Sequence, residues 1–463
     1  MYIEQLYTNC LAEAAYYVES EGEAIVIDPI RETEAYLEKA ASRGAKIKYV
    51  LETHFHADFV SGHLDLANVT GAEIVFGPGA EPEYPIHQAK DGEMLRVGKL
   101  SIEVLHTPGH TPESTCYLLY DESGNPHAIF TGDTLFVGDV GRPDLLDGKM
   151  TKEALAGMMY DSLRTKIAPL PDDVLVYPAH GPGSACGKNI GKETWSTIGQ
   201  QKRSNYALQE MTREDFVGKL THGLAAPPRY YYKDAAINQQ GYAALKDVLL
   251  KNIRSLSLAE LDEIIAAGGL VLDTRSADEF EAAHIEKSMN VGMDGTYAWW
   301  VGTLVDIGTP LVIIAAPGRE TEAVTRLARI GYENVRGYLG GGFDTWMKAG
   351  RSVQTTDSIE PSEFPEKFVE GHPVLDVRNI GEFENGHVAG ATNIPLGVLE
   401  AHLSDLDPSK EYLVHCAGGY RSMIAASILQ RNGFENVMNV RGGFGKMKQF
   451  IPDAVVVPQG EMV

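Results

Sequence analysis

The 463-residue chain reads as an α/β protein of several domains, on three observations. It exceeds the roughly 250–300 residues at which a single core stops growing. Its first half alternates short apolar strands with Gly/Pro turns, and its second half repeats itself. A hydrophobic fraction of 44% and a charged fraction of 22% are those of a folded globular chain. No apolar run approaches the ~20 residues of a membrane helix. The start, Met1-Tyr-Ile-Glu-Gln-Leu, has neither a basic nor an apolar leader signature. A cytoplasmic protein without a membrane partner is therefore expected. The net charge of −24 argues against a nucleic-acid partner, whose surface needs basic stripes. Any anionic substrate must be drawn by local donors. Cys10, Cys116, Cys186 and Cys416 form no C-x-x-C pair, so reduced thiols are expected.

The first domain is read over 1–250. Ala24-Ile-Val-Ile, Tyr49-Val-Leu, Glu73-Ile-Val-Phe, Ile102-Glu-Val-Leu, Cys116-Tyr-Leu-Leu-Tyr, Ala128-Ile-Phe and Val174-Leu-Val-Tyr are strands by composition and bounding turns. Apolar spacing predicts helices over 33–42 and 152–166. Pro227-Pro-Arg-Tyr-Tyr-Tyr reads as an extended segment leading out of this domain.

The repeat follows. Leu272-Asp-Thr-Arg-Ser-Ala-Asp-Glu-Phe-Glu-Ala-Ala-His matches Leu375-Asp-Val-Arg-Asn-Ile-Gly-Glu-Phe-Glu-Asn-Gly-His. Gly331-Tyr-Glu-Asn-Val matches Gly433-Phe-Glu-Asn-Val, and Gly340-Gly-Gly-Phe matches Gly442-Gly-Phe. Strands such as Leu311-Val-Ile-Ile and Tyr412-Leu-Val-His, each followed by a helix, predict parallel sheets covered by helices. Two copies of one α/β domain result, over 255–355 and 357–463.

The most specific signal is Thr53-His-Phe-His-Ala-Asp-Phe-Val-Ser-Gly-His63, joined by Thr107-Pro-Gly-His110, Thr131-Gly-Asp133 and Tyr177-Pro-Ala-His180. Each lies at the end of a predicted strand, where loops from a rigid sheet converge. Their imidazoles and carboxylates suit zinc, iron or manganese.

These four elements resemble the metallo-β-lactamase superfamily, which implies an αββα sandwich with the metal at one edge. Two-metal members carry His-x-His-x-Asp-His, and this chain has Phe59 at the last position. A phenyl ring cannot ligate, so the second site is expected to be crippled, with His63, one turn on, a lesser candidate to replace it. The remaining pattern looks like the persulfide dioxygenase branch. That resemblance implies one Fe(II) per chain held by His54, His110 and Asp133, with persulfide and O2 as substrates and sulfite as product. It gives His56, Asp58 and His180 the work of orienting ligands and bonding substrate, or of ligating directly. Asp28 is expected to be structural. Arg142 is a candidate anion contact or a surface ion pair. Cys186 resembles a cysteine found beside the iron in dioxygenase–rhodanese fusions, with Lys188 placed to favour its thiolate. A packing role is the alternative. Cys116 is expected in the core.

At the far end, Tyr412-Leu-Val-His-Cys416-Ala-Gly-Gly-Tyr-Arg421 joins a strand to a helix through a glycine-rich loop. Backbone N–H groups around Sγ and a helix N-terminus stabilise an anionic sulfur. Gly418 and Gly419 permit the close backbone approach, while Arg421 binds the anionic partner or anchors the loop. The segment resembles rhodanese domains, which implies Cys416 as sulfur acceptor and thiosulfate as a product or donor. Aligning Arg319 with Arg421 sets Ile314 opposite Cys416 and Pro317 opposite Gly419; a one-residue shift supplies only Ala315. The middle copy is therefore expected to be inactive. A zinc thioesterase of the glyoxalase II kind and a sulfur carrier are the competing readings, and a homo-oligomer is compatible with either.

Overall fold

The computed structural model describes residues 1–145, 150–224 and 226–457; the last six residues of the third expected domain lie outside them. The chain divides into two compact units, Met1–Val248 with Ala328–Gly331, and Leu249–Leu327 with Tyr332–Val463.

The first unit is a four-layer α/β sandwich. Strands β1 (Tyr2–Thr8), β2 (Glu13–Ser20), β3 (Glu23–Ile27), β4 (Lys46–Leu51), β5 (Glu73–Phe76) and β6 (His87–Gln88) form one sheet in chain order. Strands β7 (Met94–Val97), β8 (Leu100–His106), β9 (Thr115–Tyr120), β10 (Pro126–Gly132), β11 (Leu175–Pro178) and β12 (Ser196–Thr197) form the other, also in sequential order. Alternation along each strand sorts the side chains. Tyr16, Val18, Ile25 and Ile27 meet Ile102, Val104, Tyr117 and Phe130 between the sheets. Tyr17, Val26 and Val50 face outward against Tyr36, Ala40 and Leu66 of the helices Glu34–Arg43 and His63–Thr70. Cys116, Leu118 and Ile129 pack on Ala156 and Met159 of the helix Lys152–Ser162, which places Cys116 in the core.

Pro227-Pro-Arg-Tyr-Tyr-Tyr does not lead out of the domain. Tyr231–Gln240 is a helix, and Tyr230 and Tyr231 are buried. The two prolines lie before the helix and restrict only the residues that precede them, so they do not oppose it, and burying two phenol rings favours it.

The second unit holds two five-stranded parallel sheets of one topology. Strands β13 (Ser255–Leu256), β14 (Leu270–Asp273), β15 (Met289–Asn290), β16 (Leu311–Ile314) and β17 (Val335–Leu339) run β13-β17-β16-β14-β15. Strands β18 (Asp357–Ile359), β19 (Val374–Asp376), β20 (His387–Val388), β21 (Thr392–Asn393), β22 (Tyr412–His415), β23 (Val437–Val440) and β24 (Val455–Val456) give the second sheet as β18-β23-β22-β19-β21, with β20 paired to β24. The repeated motifs do the same structural work twice. Arg275 and Arg378 fork onto Asp273 and Asp376, and His284 and His387 stack on Phe280 and Phe383 at 3.8 Å. Among the described residues no helix is long and apolar enough to cross a membrane.

Candidate metal centre and sulfur-transfer loop

The loops after β4, β8, β10 and β11 meet at one edge of the sandwich. Ligand atoms of His54, His110 and Asp133 lie within 4.8 Å of one another, as do those of His56, Asp58 and His180, and of Asp133, His180 and Cys186. All of these side chains are buried. His110 Nε2 is 3.4 Å from Asp133, and His180 Nε2 is 3.4 Å from both Asp58 and Asp133. The tight turn at the end of β10 needs Gly132, whose φ is +50° and whose Cβ would strike Thr53 Oγ1 at 2.5 Å.

Three imidazoles are mounted by their far nitrogens. His54 Nδ1 is 2.9 Å from Thr53 Oγ1, whose hydroxyl donates to Asp28 at 2.8 Å. His110 Nδ1 is 2.7 Å from the Arg142 carbonyl, and His180 Nδ1 is 3.1 Å from the Ala12 carbonyl. Each carbonyl or hydroxyl acceptor fixes the Nδ1–H tautomer and leaves Nε2 with a lone pair. Burial, with the neighbouring imidazoles of His56, His110 and His180, pushes His54 well below the usual histidine range, which favours the neutral, ligating form. His110 Nε2, His180 Nε2 and both Asp133 oxygens are buried without a hydrogen-bond partner. Such atoms are costly unless something satisfies them, and a cation between two imidazoles and a carboxylate does so. The residues fit a metal.

His56 stays beside the ligand set with Asp58 and His180, while His63, Arg142 and Lys188 are placed otherwise than expected. His56 turns Nε2 to Asp28 at 3.1 Å and to Glu52 at 3.5 Å. Burial opposes charge on it, but these carboxylates outweigh burial and push its pKa well up. His63 packs among Phe76, Tyr84 and Tyr242 and faces Glu52 at 3.4 Å; among the described residues it joins no metal cluster, so it does not replace the ligand missing at 59. Arg142 is neither a free anion contact nor a surface ion pair. It is buried and forks onto Asp144 at 2.6 and 2.8 Å, while its backbone holds His110 and the Cys186 carbonyl. Lys188 turns away from Cys186, its Nζ donating to the carbonyls of Lys219 and His222. Burial and the Asp58 and Asp133 carboxylates push the Cys186 thiol well up, opposite to the thiolate expectation.

Sequence reasoning missed Asn238. From the Tyr231–Gln240 helix its amide donates to the His56 and Phe59 carbonyls at 2.8 Å and accepts from Ser61 N–H at 2.9 Å. It staples the loop that carries His54, His56 and Asp58. The helix itself carried a signal, since Gly241 ends it with φ +92°. The long-range contact had none.

In the second unit, β22 delivers Cys416 to the loop before the helix Tyr420–Arg431. Gly419, at φ +104°, donates its N–H to Cys416 Sγ at 3.1 Å. Gly443 lets the next turn close behind, because a Cβ there would lie 2.3 Å from the Cys416 carbonyl. Arg421 forks onto Glu382 at 2.6 and 2.8 Å, so it anchors the loop. Sheet register corrects the middle copy. Asp273 pairs with Ile314 as Asp376 pairs with His415, so Ala315, not Ile314, occupies the cysteine position. Pro317 then matches Gly418, and Glu320, not Arg319, matches Arg421. Arg319 binds Glu322 and Asp294 instead.

Comparison with known proteins agrees with this division. A metallo-beta-lactamase superfamily model matches residues 8–180, and a rhodanese-like domain model matches 257–349 and 360–449. The chain is 36% identical over 142 residues to a probable hydroxyacylglutathione hydrolase of Schizosaccharomyces pombe, covering 31% of this chain and 51% of that one; the match spans about half of that relative. It is 35% identical over 209 residues to the persulfide dioxygenase ETHE1 of Homo sapiens, covering 44% of this chain and 73% of the relative. A crystal structure of a metallo-beta-lactamase from Staphylococcus aureus subsp. aureus COL covers 73% of this chain and 98% of its own at 32% identity and a TM-score of 0.66.

Proposed function

We propose, from the premise that the chain belongs to the metallo-beta-lactamase superfamily and carries two rhodanese-like domains behind its metal-binding one, that it oxidises small persulfides and transfers sulfane sulfur. Residues 1–250 form the persulfide dioxygenase domain, 255–355 a rhodanese-like domain without its own chemistry, and 357–463 the sulfurtransferase. The overall oxidation is R–S–SH + O2 + H2O to R–SH + sulfite + 2 H⁺. Cys416 thiolate attacks the outer sulfur of a second persulfide and releases the thiol. The resulting Cys416 persulfide gives its outer sulfur to sulfite and returns as thiolate, yielding thiosulfate.

His54, His110 and Asp133 would hold one Fe(II), which supplies the redox chemistry that joins O2 to sulfur. The chain's own residues fix the setting. Thr53 and the Arg142 carbonyl hold the two imidazoles in one tautomer, and Asn238 holds the loop that presents them. Asp58 and His180, 3.4 Å apart, set polar groups beside the ligand set. Gly419 N–H stabilises anionic sulfur on Cys416.

The orphaned atoms of His110, Asp133, Asp58 and His180 call for a cation, and the observation that carries the one-metal reading is Phe59, which supplies no ligand at the second position. Asp58 and His180 keep a hydrolase reading in play, in which two zinc ions activate water. Metal analysis with an oxygen electrode separates the two. About one iron per chain with O2 uptake on glutathione persulfide supports the dioxygenase, and His110→Ala loses both. Two tightly bound zinc ions with thioester hydrolysis and no O2 uptake support the hydrolase.

A further inference from the structure

The middle copy lacks a cysteine, an anchoring arginine and a complete loop, yet it holds the working loop of its neighbour. Tyr420 sits between Gly419, which donates to Cys416 Sγ, and Arg421, which anchors the loop. Its hydroxyl donates to the Gly292 carbonyl of the middle copy at 2.7 Å. Its ring lies against Gly295, where a Cβ would sit 2.5 Å from Cζ, so only a glycine leaves room. The receiving turn is itself braced. Arg326, buried in the middle copy's helix Glu320–Ala328, donates to the carbonyls of Met293 at 2.7 Å and Gly295 at 3.2 Å.

The contact continues along the Tyr420–Arg431 helix. Ser427 Oγ accepts from Asn290 N–H at 3.1 Å, and Gln430 bonds Thr356 and Thr355 of the segment joining the copies. Residues 420 and 427 are seven apart and share a helix side. Every residue from Ser422 to Leu429 is buried. A helix buried all round is covered on both sides, here by its own sheet and by the middle copy.

We infer that the middle rhodanese-like copy is a positioning element of the sulfur-transfer site, with Tyr420 as the positioning residue that it holds. The inference rests on the reading of Cys416 as the sulfur acceptor. Tyr420 sets the orientation of the Gly419 peptide, and that peptide supports anionic sulfur on Cys416. Losing the Tyr420 anchor lets the peptide swing while leaving the cysteine, Arg421 and the fold in place.

Tyr420→Phe in the full chain removes one hydroxyl and keeps the ring, and Gly295→Val displaces the ring. Transfer from thiosulfate to cyanide is measured with both, next to wild type and Cys416→Ser. Misplacing a reacting group costs rate more than ground-state binding. For Tyr420→Phe we expect kcat to fall at least about fivefold with KM for thiosulfate within about twofold. Gly295→Val falls further, and the Gly295→Val/Tyr420→Phe double variant is no worse than Gly295→Val alone, because both act on one contact. Melting of Tyr420→Phe falls by only a few degrees, the cost of one lost hydrogen bond. A wild-type kcat in Tyr420→Phe, or a rise in KM for thiosulfate as large as the fall in kcat, overturns the inference. Wild type no faster than Cys416→Ser overturns instead the reading on which it rests.

Discussion

The ring of Phe59 lies 4.3 Å from that of His56, tilted by 33°, so a phenyl covers the imidazole where a two-metal site needs a ligand. His56 is thereby packed toward Asp28 and Glu52. Placing an imidazole at 59 restores a possible third donor beside Asp58 and His180. For Phe59→His we expect bound metal to rise from about one toward about two per chain, read by elemental analysis after zinc supplementation. Unchanged stoichiometry would show that the ring is not what closes the second position.

Asn238 carries a second prediction. Asn238→Ala strands the buried carbonyls of His56 and Phe59 and the Ser61 N–H. Leaving such groups unpaired is expected to cost about 2–4 kcal/mol in the first unit. The loop that it staples carries His54, so release of the bound metal to a chelator should quicken. Wild-type release kinetics would mean that the loop is held by other contacts.

How much of this was legible follows from the range of each interaction. The strand ends carrying His54, His110, Asp133 and His180 were readable because period-two alternation and turn residues are local signals. The repeat was readable because Asp273–Arg275 and Asp376–Arg378 repeat a local geometry. The direction in which a buried histidine points was not. His56 and His63 both turn to Glu52, a choice set by partners that only the folded chain assembles. Arg142 and Lys188 similarly found partners, Asp144 and the Lys219 carbonyl, that spacing does not reveal. The shift from Ile314 to Ala315 needed the sheet register, because the two loops resemble each other too weakly to align themselves.

His415 is expected to make the third, rhodanese-like domain sensitive to acid. Burial pulls its pKa down to about 4, against the opposing pull of Asp376. Below the unfolded value near 6.5, the unfolded chain binds a proton that the folded one refuses. Stability is therefore full above about pH 6.5 and falls as the pH drops toward 4. Between pH 7 and 5 the loss should reach about 2 kcal/mol, measured by urea unfolding of the second unit. His415→Gln should flatten that slope, whatever it costs at pH 7. An equally steep slope in the variant would assign the acid sensitivity to other groups.

Cys416→Ser tests the coupling of the two chemistries. The substitution keeps size and polarity but loses the nucleophile, since a hydroxyl is not ionised at neutral pH as a thiolate can be. His54, His110 and Asp133 lie in the other unit, with their own mounts on Thr53 and the Arg142 carbonyl. O2 uptake on glutathione persulfide should therefore persist in the variant. Sulfite should accumulate where, on the proposed function, wild type would release thiosulfate, because no cysteine persulfide is present to supply the second sulfur. Free sulfite reacts with persulfide without an enzyme, so it must be trapped continuously during the assay. Thiosulfate formed at the wild-type rate under that trap would rule out Cys416 as the donor to sulfite. The cradle made by Gly419 N–H around Sγ would then have to serve the reverse direction, loading persulfide from thiosulfate.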